Sequence, residues 1–231
     1  MPPRTYKVGV LLFDRVDILD VAGPIEILSH ASHNKNPDVP DRMFWVVTIA
    51  RDRTIRAGAS LPIQADMFLD EVQLPDFDIL LVPGGPPSAI RTLIDSDAPE
   101  LGLVREYAAL PPDPDPGRER LLFSVCTGAL LLGAAGVLDG VTVATHHRGL
   151  DLLRDVSDRA NSRDAKSPTV VHRRYVDGGV LKPGLRLLTA GGVSSGLDAA
   201  LYLVGQLAGQ DIAGFIGRVM EYEWRGPDAG E

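Results

Sequence analysis

The chain has 231 residues, 45% of them hydrophobic and 23% charged, with a formal net charge of −8 at pH 7 and 1 cysteine. The acidic balance argues against nucleic acid or an anionic membrane as a partner, since both want a basic face. A single cysteine excludes an internal disulfide and fits a reducing, cytoplasmic setting.

In chain order, Lys7–Phe13 predicts a buried first strand. The run is too short for a signal-peptide core and meets Asp14 at once. Asp20-Val21-Ala22-Gly23-Pro24 predicts a turn into a short helix over Ile25–His30. A loop rich in Asn, Asp and Pro leads to a strand over Phe44–Ala50, and residues 55–70 suggest short strands or a hairpin. Asp78–Val82 is apolar except at its first residue, as in a parallel sheet covered on both faces, and ends in Pro83-Gly84-Gly85-Pro86-Pro87. Leu101–Leu110 predicts a helix, and the prolines of 111–120 a surface loop. Leu121–Val125 then predicts a buried strand and Gly128–Ala135 a helix. The stretch Leu121–Leu138 carries no charge. A membrane span and a buried strand feeding a packed helix both give that hydropathy, and the second is favoured.

Further on, Val141–Thr145 predicts a strand, His147–Val156 a helix and Ser157–Pro168 a loop. Val170–Val176 and Leu185–Thr189 predict strands, followed by helices over Ser195–Ala208 and Asp211–Tyr222. Strands alternating with helices imply one three-layer α/β domain over 1–231 with a mostly parallel sheet. A chain this long buries roughly 70% or more of its unfolded surface and needs no disulfide or metal staple. In such sheets, sites form at the carboxyl ends of strands.

Three strand ends carry unusual chemistry. Cys126 is flanked by Ser124 and Gly128, small residues two before and two after, as a nucleophile elbow requires. A helix starting at Thr127 would aim its N–H groups at the sulfur and lower the thiol pKa. A buried structural cysteine is the competing reading. Asp20 sits among apolar neighbours. It is either a helix N-cap or a carboxyl beside the thiol, kept protonated by burial and able to donate a proton. Pro83-Gly84-Gly85 is a turn whose N–H groups, with that of Thr127, could form an oxyanion hole. Of His146 and His147, at most one faces a pocket at the strand end, and a polar surface role competes. No HExxH and no Cys/His cluster occurs, so metal catalysis is not expected. No Gly-rich phosphate fingerprint follows the first strand, so no nucleotide cofactor is expected either.

The pieces "LLFDRVDILDVAGPIEIL", "LLVPGG", "SVCTGALLLGAAGVLDG", "ATHH" and "LLTAGGVSSGLDAAL" together resemble the DJ-1/PfpI superfamily, and within it the isocyanide hydratase branch. The resemblance spans about Lys7 to Trp224. It implies a flavodoxin-like sandwich with a nucleophile elbow, a homodimer, and no metal or organic cofactor. Cys126 matches the family's elbow cysteine, Asp20 the acidic residue that hydrogen-bonds it, Thr127 the branch's following threonine and Gly85 the oxyanion-hole glycine. His146, Gly192 and Val193 are further candidate pocket residues.

The implied activity is cofactor-independent addition of water to a small electrophile, an isocyanide giving an N-substituted formamide. Protease-like relatives carry histidine where Thr127 stands, which puts peptidase activity in doubt. A glyoxalase-type hydratase acting on methylglyoxal, with His146 in the pocket, is one alternative. A redox sensor oxidised at Cys126 without turnover is another. A ligand-sensing regulator is not expected, since no DNA-binding segment is evident. The chain departs from the branch at Pro86-Pro87, at the loop 111–117 and at His147, which often is an aromatic residue there; together these put the substrate in doubt.

Overall fold

A computed structural model describes residues 4–58, 60–115, 117–161 and 165–226. Position 59 in the expected hairpin, position 116 in the Pro/Asp loop and residues 162–164 in the expected loop 157–168 lie outside the described residues. In chain order the elements are β1 (Tyr6–Leu11), α1 (Ile18–His30), β2 (Phe44–Ala50), β3 (Thr54–Ala57), β4 (Leu61–Gln64), β5 (Met67–Phe68), β6 (Ile79–Val82), α2 (Pro87–Asp95), α3 (Pro99–Ala109), β7 (Arg120–Val125) and α4 (Gly128–Ala134). Then come β8 (Thr142–Ala144), α5 (Leu150–Ala160), β9 (Thr169–Val171), β10 (Tyr175–Lys182), β11 (Leu185–Ala190), α6 (Ser195–Ala208) and α7 (Gln210–Val219).

Seven strands form the central sheet in the order β10-β11-β7-β6-β1-β2-β5. Every pairing in it is parallel except β10 with β11. On one side α1 packs on α6 and α6 on α7; on the other α2, α3 and α5 gather on α4. This is the flavodoxin-like α/β sandwich. Helices on both faces explain why β6 is buried at all four positions and β7 at five of its six. The stretch Leu121–Leu138 resolves into most of β7, the turn at Cys126 and α4, and no helix among the described residues is long and apolar enough to cross a membrane.

The sequence expectations need correction at several places. The turn expected at Asp20–Pro24 is helical: α1 starts at Ile18, and Pro24 lies inside it. Gly23-Pro24 reads as a breaker, yet Pro24 removes a single backbone donor and the helix continues through it. The N-cap of α1 is Asp17, whose carboxylate accepts from the Leu19 N–H at 3.2 Å, so Asp20 is no cap. Helix α2 adds to the expected elements; Pro86 and Pro87 open it, as proline does where the N–H has no helical partner. The single strand expected over Val170–Val176 is two. β9 pairs with β8 in a separate sheet, and β10 starts at Tyr175 beside β11. Helix α5 runs to Ala160, into the loop expected from Ser157, and a 3-10 turn over His147–Gly149 precedes it.

The sheet and α4 meet without room to spare. A Cβ on Gly128, the first residue of α4, would lie 2.1 Å from the Val82 carbonyl oxygen and 2.8 Å from that of Pro83. Backbone cannot yield there as a side chain would. Gly128→Ala is therefore expected to destabilise the fold by at least ~2 kcal/mol. Urea denaturation would register it, and an unchanged midpoint would contradict this packing.

Candidate active site

The elbow is built from the ends of three strands. Cys126 follows β7 directly with φ 59, a left-handed conformation that costs a non-glycine residue about 1–2 kcal/mol. Backbone contacts hold it there. Its N–H is shared between the carbonyls of Ala190 at 3.0 Å and Gly191 at 2.9 Å, just at the end of β11. Its own carbonyl accepts from Thr145 Oγ1 at 2.8 Å, just after β8. The result is a thiol 5% exposed, at the base of a cavity of about 440 Å³.

Asp20 reaches the thiol from the first turn of α1. Its side chain is 0% exposed, and Oδ2 accepts from the Gly84 N–H at 3.0 Å. Oδ1 meets no hydrogen-bond donor among the described residues. The carboxyl and the thiol act on each other electrostatically. Burial pushes Asp20 up to about 8, and the Asp17 carboxylate adds to it against the Gly84 N–H. The same burial, then Asp20, pushes Cys126 up to about 12 against the Thr127 N–H. The lowered thiol pKa expected from the helix start is thus not found. The seven-residue α4 offers one useful N–H, and desolvation outweighs it. At neutral pH the pair holds both protons.

Thr127 is the N-cap residue of α4, but its hydroxyl faces across to the Pro83–Gly85 turn. Oγ1 donates to the Gly85 carbonyl at 2.7 Å and accepts from the Gly85 N–H at 2.9 Å. Both N–H groups of the glycine turn are therefore engaged, that of Gly84 with Asp20 and that of Gly85 with Thr127. A Cβ on Gly84 would lie 2.6 Å from the Thr127 nitrogen and 3.0 Å from Asp20 Oδ2, so glycine is what lets these groups converge.

On the opposite wall, a Cβ on Gly192 would lie 2.2 Å from His146 Cδ2 and 3.2 Å from Cys126 Sγ. Gly192 therefore separates the thiol from the imidazole. His146 and Val193 line the cavity; the His147 ring lies 4.3 Å from that of His146, tilted by 33°, and is itself exposed. His146 Nδ1 accepts from the Arg148 N–H at 3.2 Å, which leaves the proton of the neutral ring on Nε2. Burial, with His147 and Arg148 nearby, lowers its pKa. All seven residues singled out in the sequence, Asp20, Gly85, Cys126, Thr127, His146, Gly192 and Val193, thus meet around one cavity or its walls. Asp17 and Arg148 line it as well and were not singled out. Asp17 left a signal, an Asp just before an apolar helical run, which is an N-cap signature. Arg148 left none.

A buried cysteine in a left-handed elbow, with a buried carboxyl beside it at the carboxyl ends of a parallel sheet, defines a nucleophile-elbow α/β protein. The chain belongs to the DJ-1/PfpI family, which it matches over residues 6–206. It is 30% identical to the isonitrile hydratase of Pseudomonas putida over 216 residues, 94% of this chain and 78% of that one. The crystal structure of a ThiJ/PfpI family protein from Pseudomonas syringae superimposes with a TM-score of 0.72 at 24% identity, covering 100% of this chain and 81% of the other. Drosophila melanogaster DJ-1beta does so with a TM-score of 0.70 at 16% identity, covering 95% and 100%.

Asp20 carries a stability signature. Its folded pKa, about 8, lies above the ordinary 3.8, so the folded state binds the proton more tightly. Its contribution is fully favourable below 3.8 and is lost as pH rises toward about 8. Taking up that proton at pH 7 costs ~4 kcal/mol. Asp20→Asn keeps an acceptor for the Gly84 N–H and needs no proton. It is expected to be more stable than the native chain at pH 7 by a few kcal/mol, with the gain shrinking toward pH 4. Denaturation at both pH values checks this; a gain independent of pH would refute it.

Proposed function

We propose that the protein is a cofactor-independent lyase that adds water to an isocyanide and releases an N-substituted formamide, with Cys126 as nucleophile. The observation that carries this reading is the buried Asp20 carboxyl, its Oδ2 on the Gly84 N–H, beside the Cys126 thiol in its left-handed elbow. The likeness to the isonitrile hydratase of Pseudomonas putida supports it.

The chemistry follows from the proton count. Loss of one proton from the pair, near pH 8, leaves one proton shared between sulfur and carboxyl. The thiolate form attacks the terminal isocyanide carbon and forms a C–S bond, while the Asp20 proton goes to that carbon, giving a thioimidate. The Asp20 carboxylate then takes a proton from water as its oxygen adds to the carbon, and passes it to the nitrogen. Collapse breaks the C–S bond and returns the hydroxyl proton to Asp20. Formamide leaves and the thiolate is restored. The Thr127 N–H faces the sulfur, and its hydroxyl holds the Gly85 peptide in register with the carboxyl. We read the chain as one domain, working as a cytoplasmic homodimer on a small electrophile.

A second reading rests on His146. Its half-buried, neutral imidazole lies across Gly192 from the thiol, where it could move protons for a glyoxalase-type hydration of methylglyoxal.

Purified protein incubated with n-butyl isocyanide is expected to yield N-butylformamide by NMR. Cys126→Ala should reduce turnover at least about a thousandfold, and its full retention would end the nucleophile assignment. Methylglyoxal assayed beside it separates the two readings. Because the reactive form appears as the pair loses its first proton, kcat/KM for the isocyanide should rise with pH and level off above about 8. A profile flat from pH 6 to pH 9 would contradict the shared proton.

A further inference from the structure

A second concavity adjoins the cavity at Cys126. It has a volume of about 490 Å³ and runs between α2, α4 and α5. Pro87, Leu130 and Leu152 line both, so the two share one wall from the site outward. Beyond them the trench is floored by Ile90, Ile94, Ala134 and Val156. Along α5 it extends from Leu152 to Ala160, ~12 Å at 1.5 Å per residue. Its rim carries Arg91, one turn along α2 from Pro87, and its far reach Asp95 and Arg159. Neither guanidinium has a hydrogen bond or ion pair among the described residues. An apolar floor beginning beside the nucleophile and ending at charges has the form of a binding channel for an elongated amphiphile. A compact electrophile would need only the first cavity.

We propose that this trench binds the tail of the substrate, so that the substrate class is an isocyanide carrying an unbranched apolar chain. An extended chain advances roughly 1.2 Å per bond, so the ~12 Å along α5 takes roughly eight to ten methylenes before its Arg159 end. The reacting carbon sits at Cys126 and the chain passes Pro87, Leu130 and Leu152 onto the Ile94 and Val156 walls. The isocyanide part of this assignment rests on the hydration reading above; the trench itself does not.

Two measurements separate them. Cys126 is the only cysteine in the chain, so its alkylation can be followed by intact mass. N-octylmaleimide is compared with N-ethylmaleimide, each rate divided by that with glutathione. Each methylene laid on an apolar wall gains about two- to fourfold, so octyl should exceed ethyl by more than about thirtyfold. Val156→Arg on α5, and independently Ile94→Arg on α2, should bring that ratio down toward one. A ratio of one or below in the native chain, or a high ratio untouched by both variants, overturns the trench as a tail site. So does a flat ratio with Val156→Arg converting a dimer to a monomer in sedimentation, which would mark the trench as covered by a second copy.

The companion series compares kcat/KM for n-octyl and n-butyl isocyanide. Octyl is expected to be favoured by at least about tenfold. Turnover of both with equal kcat/KM overturns the long-chain assignment. Turnover of neither, with the maleimide preference intact, ends the hydration reading and the isocyanide assignment while the trench stands.

Discussion

The site depends on holding a cysteine where a cysteine does not want to be. At φ 59 the Cys126 backbone is strained. It persists because neighbouring backbone fixes it from both sides, through Ala190, Gly191 and Thr145. Those three lie at or just past the ends of β11 and β8. Parallel pairing of β7 with β11, Ala190 opposite Val125, sets the height at which they meet it. Register in the sheet therefore fixes the position of the sulfur. Thr189 ties the two strand ends further, its Oγ1 accepting from the Ala144 N–H at 2.8 Å.

The same closeness creates the electrostatics. Gly84, Gly128 and Gly192 let β6, α4 and the β11–α6 turn approach closely enough that the elbow loses most of its water. A carboxyl and a thiol placed there both prefer their protonated forms. Asp17, a helix cap at the cavity wall, adds its charge in the same direction. Thr127 links the glycine turn to α4, so the peptide of Gly85, the elbow and the carboxyl cannot shift independently.

The sheet strands next to the site were legible because β6 and β7 are apolar and almost wholly buried. Helix α6 was equally plain, and its bounds match. What misled was local chemistry read without its tertiary partners. Gly23-Pro24 looks like a turn until α1 is seen packed against α6, with Gly196 of α6 beside the Pro24 ring. Val170–Val176 is strand-like at both ends of His172-Arg173-Arg174, and pairing divides it between two sheets at that polar stretch. Of the site, side-chain identities could be found in the sequence, while the direction of the thiol's pKa could not. A helix start suggested a lowered value; burial, a property of the whole fold, reversed it.

That reversal bears on the choice between sensor and enzyme. Oxidant-sensing cysteines are exposed and strongly ionised, because peroxide reacts with the thiolate. Cys126 is 5% exposed and pushed up to about 12, which makes it a poor target at rest. For the nucleophile we propose, this protects the thiol between turnovers, provided the proton can leave when substrate arrives. Asp20 supplies that exit at about 8, within reach of neutral pH. In the proposed hydration the pair carries one negative charge throughout, on sulfur or on the Asp20 carboxylate, and the Thr127 N–H faces it while it is on sulfur.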